Sequence, residues 1–202
     1  MTRRFAITFD YLCPFARNAN EHVLAGIAGG ADWDVSFVPY SLAQGHVEEG
    51  DTDVWDREDP HRSSGILALQ AGIAVRDEHP EAFPAVHRGL FEARHDEGRD
   101  IKDPAVVGDV LAAHGVDAGS LLDEIAAGSW LPTLRKEHDA AVQDHQVWGV
   151  PTFITDERAV FVRVMDRPDG DTDTARRRVD HIVDLVDDVA ELHEFKQVDL
   201  PR

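Results

Sequence analysis

The sequence predicts an α/β fold, a mixed β-sheet flanked by helices and interrupted by an all-helical insertion. Three observations carry this expectation. The chain opens as strand, helix, strand over "FAITFD", "PFARNANEHVLAGIAGG" and "WDVSFVPY". From Ser63 to about Val147 every segment has helical periodicity. Strand patterning then returns in "PTFIT" and "AVFVRVM" before a closing helix.

Each element has a local reason. Residues 5–10 alternate and are rich in Phe, Ile and Thr, which suits a pleated, half-buried strand. The helix that follows repeats apolar residues at Phe15, Ala19, Val23, Leu24 and Ile27 and stops at Gly29-Gly30. Residues 33–40 form the second strand, ended by Pro39. Residues 41–62 are polar, acidic and aperiodic and read as a long surface loop. Helices follow with breaks near Pro80, Gly98 to Pro104, Gly115 and Gly128. Asp103 and Asp117 are N-cap candidates, with Pro104 at the favoured first helical position. "PTFIT" and "AVFVRVM" read as a hairpin turning at Asp156-Glu157. The closing helix, over 171–195, carries a stripe of Val179, Ile182, Val183, Val186 and Val189, and a tail is expected from Lys196.

Composition narrows the function. A chain of 202 residues with 43% apolar content can bury a real core. A formal net charge of −19 sets the surface against nucleic acid and anionic membranes, which are themselves polyanions. The charged residues are mostly Asp and Arg, with Lys only at Lys102, Lys136 and Lys196; a GC-rich genome or adaptation to salt would each produce that bias. No apolar run reaches the roughly 18–20 residues that cross a bilayer. The apolar stretch after "MTRR" breaks at Asp10 and reads as a strand rather than a secretory signal, so a cytoplasmic location is expected. The single cysteine cannot form an internal disulfide, in keeping with a reducing compartment.

That cysteine, Cys13, stands between a strand and a helix and is followed by Pro14. Unpaired backbone N–H groups and the positive end of the helix dipole converge there, which predicts a lowered thiol pKa and a nucleophilic thiolate. Arg17, four residues on, shares the helix face and is a candidate to stabilise the thiolate or hold a carboxylate of a small thiol. His22, more than two turns along, reads as structural.

A second signal lies far away, in "WGVPTF" at residues 148–153. With this loop and Cys13-Pro14, the chain resembles the DsbA-like branch of the thioredoxin superfamily, in which a helical domain interrupts a thioredoxin-like domain. The resemblance implies that Cys13 is the nucleophile, that Pro151 is a cis proline beside it, that Val150 pairs with the substrate backbone, and that Thr152 flanks it. It also implies a thioredoxin-like domain over 1–62 and 148–202, with the helix at about 130–147 packed on it, and an inserted helical domain over 63–129.

One departure matters. The family's motif is Cys-x-x-Cys, whereas this chain reads Cys13-Pro14-Phe15-Ala16, so the resolving cysteine is absent. An intramolecular dithiol cycle is therefore closed by covalent chemistry. A monothiol cycle stays open: Cys13 attacks a thiolated or disulfide substrate and is released by a small thiol such as glutathione or mycothiol, with no tightly bound cofactor. Two other readings stand beside it. Kappa-class glutathione transferases and 2-hydroxychromene-2-carboxylate isomerases look similar in outline, and Ala16 is expected to leave a hole in which a bound thiol could replace the missing sulfur. The third reading is a non-catalytic peptide-binding module.

Trp148 and Phe15 are expected to wall a substrate groove, and Trp33 and Trp130 to belong to the core. His87, Glu92 and His95 on one helix, and His138 and His145 on another, lack the i, i+4 His pair used for chelation, so no metal site is expected. The acidic residues from Glu48 to Asp59 lack calcium-loop spacing; bordering the Cys13 groove, they would disfavour anionic substrates. Nothing in the sequence fixes an oligomeric state.

Overall fold

The computed structural model describes residues 2–63, 65–156, 158–189 and 191. The expected tail from Lys196, the end of the expected last helix and Glu157 of the expected turn lie outside the described residues.

Strand β1 (Arg3–Phe9) is central: it pairs in parallel with β2 (Trp33–Pro39) and antiparallel with β3 (Thr152–Ile154), whose other neighbour is β4 (Ala159–Phe161). This mixed sheet has the order β2-β1-β3-β4. A central strand has neighbours on both edges and helices over its faces, so Phe5, Ile7, Thr8 and Phe9 are all buried.

Helix α1 (Pro14–Ala28) joins β1 to β2. It packs against α8 (Thr172–Asp188), α4 (Phe83–His95) and β1, and is buried almost throughout from Ala16 to Gly26. Where α1 meets β2 the packing is so close that a Cβ on Gly26 would lie 2.2 Å from the Trp33 ring. Of the polar residues it buries, Asn20 donates to the Ala16 carbonyl at 2.8 Å, and His22 bonds the Asn18 carbonyl through Nδ1 and receives Arg178 on Nε2. The expected apolar stripe holds at Ala19, Val23 and Leu24, but Ile27 is exposed.

Between β2 and β3 the chain also forms α3 (Ile66–Glu78), α4, α5 (Pro104–Ala113), α6 (Ala118–Ala126) and α7 (Leu131–His145). Asp103 caps α5 through the Ala105 N–H and Asp117 caps α6 through the Ser120 N–H. Helix α7 reaches back to β2, and Arg76 at the end of α3 donates to the Phe37 carbonyl on the outer edge of β2 while gripping Glu137 of α7. That contact covers an otherwise open sheet edge.

Two expectations are corrected. Residues 41–62 are not simply a surface loop: they contain a short helix, α2 (Leu42–Gly45), and two 3-10 turns, and Val54 and Trp55 are buried, the latter against His138. The second hairpin strand is shorter than "AVFVRVM", because the chain leaves the sheet after Phe161 and runs along α1 as a strap. Asn18 bonds the Val164 carbonyl, and Arg167 bonds Glu21. Among the described residues no helix is long and apolar enough to cross a membrane.

Candidate active site

The site forms where the carboxyl end of β1 turns into α1. Asp10 ends the strand, and its backbone carbonyl accepts the Cys13 N–H at 3.0 Å. Cys13 is the N-cap of α1, in extended conformation, and Pro14 takes the first helical position, where a missing N–H leaves no partner unsatisfied. The sulfur accepts the Ala16 N–H at 3.4 Å, and the thiol donates to the Val150 carbonyl at 3.4 Å.

Val150 belongs to the second half of the site. The Val150-Pro151 peptide bond is cis, and this turn lays the loop against Cys13. Thr152 builds the turn: its hydroxyl donates to the Gly149 carbonyl at 2.8 Å, and its N–H donates to the Thr8 hydroxyl of β1, also at 2.8 Å. The Pro151 carbonyl accepts the Val162 N–H, which ties the loop to the start of the strap. Residues 137 positions apart in sequence thus meet at the sulfur.

Electrostatically the site departs from expectation. Cys13 is only 9% exposed, and its burial pushes the thiol pKa up, not down. The N–H groups of Ala16 and Phe15 pull in the opposite direction, as the helix N-terminus predicts; the Asp10 carboxylate raises the pKa further and the Arg163 guanidinium lowers it. The helix terminus is therefore present but outweighed by desolvation. Asp10 is itself fully buried, accepting the N–H groups of Leu12 at 2.9 Å and Leu42 at 2.8 Å, and burial lifts its carboxyl to about 6.

Of the other expected site residues, Trp148 is 72% exposed beside the cis-proline loop, its ring 4.7 Å from that of Phe161. Phe15 is half-buried and carries Arg163 over its face at 4.8 Å. Arg17 is not among the charges that act on Cys13; it turns to Asp96, which caps the C-terminal end of α4, with Nη1 at 2.6 Å. Ala16 leaves no hole, since it is completely buried against the core. The acidic segment 48–59 does not act on Cys13: Asp53 and Asp56 face Arg135 of α7. A recess of about 530 Å³ lies elsewhere, along β2 between Arg76, Phe83 and Glu137.

The histidines set aside as metal ligands have other partners. His87 is fully buried between the Tyr11 hydroxyl at 2.8 Å and Asn20 Oδ1 at 3.1 Å, and burial lowers its pKa to about 3. His95 bonds the Tyr11 carbonyl, and His138 accepts the Ser41 N–H. Tyr11, two residues before the thiol, is thereby anchored to the insertion.

Sequence reasoning missed Asp10 and Arg163. Asp10 had a signal, an acidic residue closing an apolar strand immediately before the thiol turn. Arg163 had none, because its place depends on a strap that was read as strand.

A strand-to-helix cysteine facing a cis-proline loop, on a mixed sheet interrupted by helices, defines a thioredoxin-like redox domain. The model of the DSBA-like thioredoxin domain family matches residues 6–170, and the chain belongs to that family. Among curated proteins it is similar to the thiol:disulfide interchange protein DsbA of Azotobacter vinelandii, at 25% identity over 109 residues. That match covers 54% of this chain, and the chain spans about half the length of that relative (50%). Among solved structures it is similar to the cytosolic disulfide reductase DsbM of Pseudomonas aeruginosa, seen with GSH, at a TM-score of 0.61 and 17% identity, over 89% of this chain and 98% of that one. It is also similar to oxidised BdbD of Bacillus subtilis, at a TM-score of 0.58 and 18% identity, over 88% and 87% of the two chains. These structural likenesses establish the fold.

Proposed function

We propose that the protein is a thiol–disulfide oxidoreductase that works through one thiol. The observation that carries this reading is the contact between the Cys13 thiol and the Val150 carbonyl across a cis-proline loop, in a chain with a single cysteine. Ionised Cys13 attacks one sulfur of a disulfide; the new S–S bond forms as the old one breaks, and the leaving thiolate takes the electron pair. A small thiol such as glutathione or mycothiol then attacks the mixed disulfide and returns Cys13 to its reduced form. Once Cys13 loses its proton, the Val150 carbonyl loses its donor and is free to accept an N–H from a bound substrate. The reading places the chain in a reducing, cytoplasmic setting, with residues 63–129 as a helical domain above the thiol and Trp148 beside the substrate. The role given to a small thiol is in line with the GSH seen in DsbM.

The resting thiol is protonated at neutral pH, because burial raises its pKa. Reaction with disulfides should therefore accelerate through and above neutrality rather than reach a plateau in acid. The test is intact mass after incubating reduced protein with glutathione disulfide and with mycothiol disulfide across pH. A single adduct, reversed by excess thiol and absent in Cys13→Ser, is expected. Turnover that survives Cys13→Ser but needs added thiol would replace this reading with the bound-thiol transferase or isomerase. No adduct and no turnover would leave a binding module.

A further inference from the structure

The strap after β4 brings a cation, Arg163, to the thiol end of α1, where it lies over the Phe15 ring. Val162 is fixed by the Pro151 carbonyl and Val164 by Asn18, so Arg163 between them has a defined place, with its guanidinium 4.8 Å from the Phe15 ring centre. Beyond it, Asp166 pairs with Arg178 while Arg167 pairs with Glu21 and Asp96, which pins the strap to α1. Among the described residues no carboxylate pairs with Arg163, although the chain has nearly twice as many acidic as basic residues, 39 against 20. The other candidate cation, Arg17, is neutralised by Asp96. Arg163 is exposed and available to a ligand.

We propose that Arg163 is a positioning and specificity residue for Cys13: held over Phe15 beside the cis-proline loop, it draws negatively charged disulfides to a thiol carried by an otherwise acidic protein. This rests on Cys13 being the reacting group, as proposed above. Among the described residues, the charged and titratable groups around the thiol include Asp10 at the end of β1, with Tyr11 and Tyr40 on which it acts, Arg163 on the strap, the paired Arg17 and Asp96, His95 and Arg94 on α4, and His46, which acts on Asp10. Of the charges that act directly on Cys13, Asp10 opposes the thiolate and Arg163 supports it. A dianionic disulfide approaching the sulfur meets in Arg163 a counter-charge that no carboxylate among the described residues neutralises.

Because Cys13 is the only thiol, every labelling event reports on it. The test compares dithiobis(nitrobenzoate), a dianion, with uncharged dithiodipyridine on the full chain. In both reactions the Cys13 thiolate displaces one aromatic thiolate, which leaves with the electron pair, and the protein sulfur is oxidised to a mixed disulfide. Arg163→Gln should slow the anionic reagent relative to the neutral one by roughly three- to ten-fold at low salt. Arg163→Lys should restore most of that ratio. Arg4→Gln, an equal loss of charge at the far end of β1, should leave it unchanged. The midpoint of thiolate ultraviolet absorbance should rise in Arg163→Gln and return in Arg163→Lys. A ratio unaltered by Arg163→Gln overturns the proposal while leaving the oxidoreductase reading intact. A wild-type Cys13 inert to both reagents overturns that reading, and this proposal with it.

Discussion

Halfway along α1, Glu21 is buried at 4% exposure and gripped by Arg167 through hydrogen bonds of 2.7 and 2.8 Å; Arg167 also reaches Asp96, which holds Arg17. About two turns earlier, at the N-terminal end of the same helix, Asp10 and Cys13 are also buried, yet among the described residues no guanidinium forms an ion pair with either. There Asp10 relies on two backbone N–H groups, and its carboxyl rises to about 6. Both stretches bury acidic groups. The middle of the helix neutralises them in a closed network, whereas its N-terminus leaves them near a protonation change. A closed network holds elements together; an unbalanced site retains the capacity to ionise and react.

The sharpest way to break this contrast is to open the closed network. Arg167→Met leaves Glu21 buried without its bidentate cation, and unfolding free energy should fall by about 3 kcal/mol, read as a lower urea midpoint. An unchanged midpoint would show that the network contributes little and that the two stretches do not differ in the way described.

The second test acts on the open end. The Asp10 carboxyl is raised above its ordinary 3.8, so the folded state binds this proton more tightly than the unfolded chain does. Its contribution is fully present below 3.8 and is lost as pH rises through about 6. The shift corresponds to about 3 kcal/mol, discounted in practice by local relaxation. The stability of the wild type relative to Asp10→Asn should therefore decline between roughly pH 4 and pH 7 by up to this amount. The Cys13 midpoint should fall in the variant, since a negative charge that raises it is gone. A pH-independent difference would mean that Asp10 does not titrate abnormally.

The smallest effect on stability is expected at the rim. Trp148 is largely exposed, so Trp148→Ala should change unfolding free energy by no more than about 0.5 kcal/mol. It should slow mixed-disulfide formation with an apolar peptide disulfide and spare glutathione disulfide. Equal slowing of both would remove Trp148 from substrate recognition.

The fold was legible because its elements announce themselves locally. The alternation of "FAITFD", the Gly29-Gly30 stop of α1 and the Asp103 and Asp117 caps all lie within a few residues of the structure they specify. The thiol and the proline loop were legible as motifs and as a resemblance. The strap was not, since "VRVM" has strand composition and only its contacts with Asn18, Glu21 and Asp96 draw it from the sheet onto α1. The partner of Arg17 was not legible for a related reason: helical spacing gives the face a side chain shares, but Asp96, 79 positions away, is the carboxylate it meets.

What the sequence alone determined is the order of elements, the single thiol at a helix N-terminus and the absence of a resolving partner, all of which depend on short-range periodicity, capping and covalent chemistry. The tertiary structure decided the sign of the Cys13 shift, the state of Asp10 and the cation beside the sulfur. Desolvation depends on everything packed around a group, and ion pairing on which distant segments the fold brings within a few ångströms. Neither quantity is written in the spacing of residues along the chain.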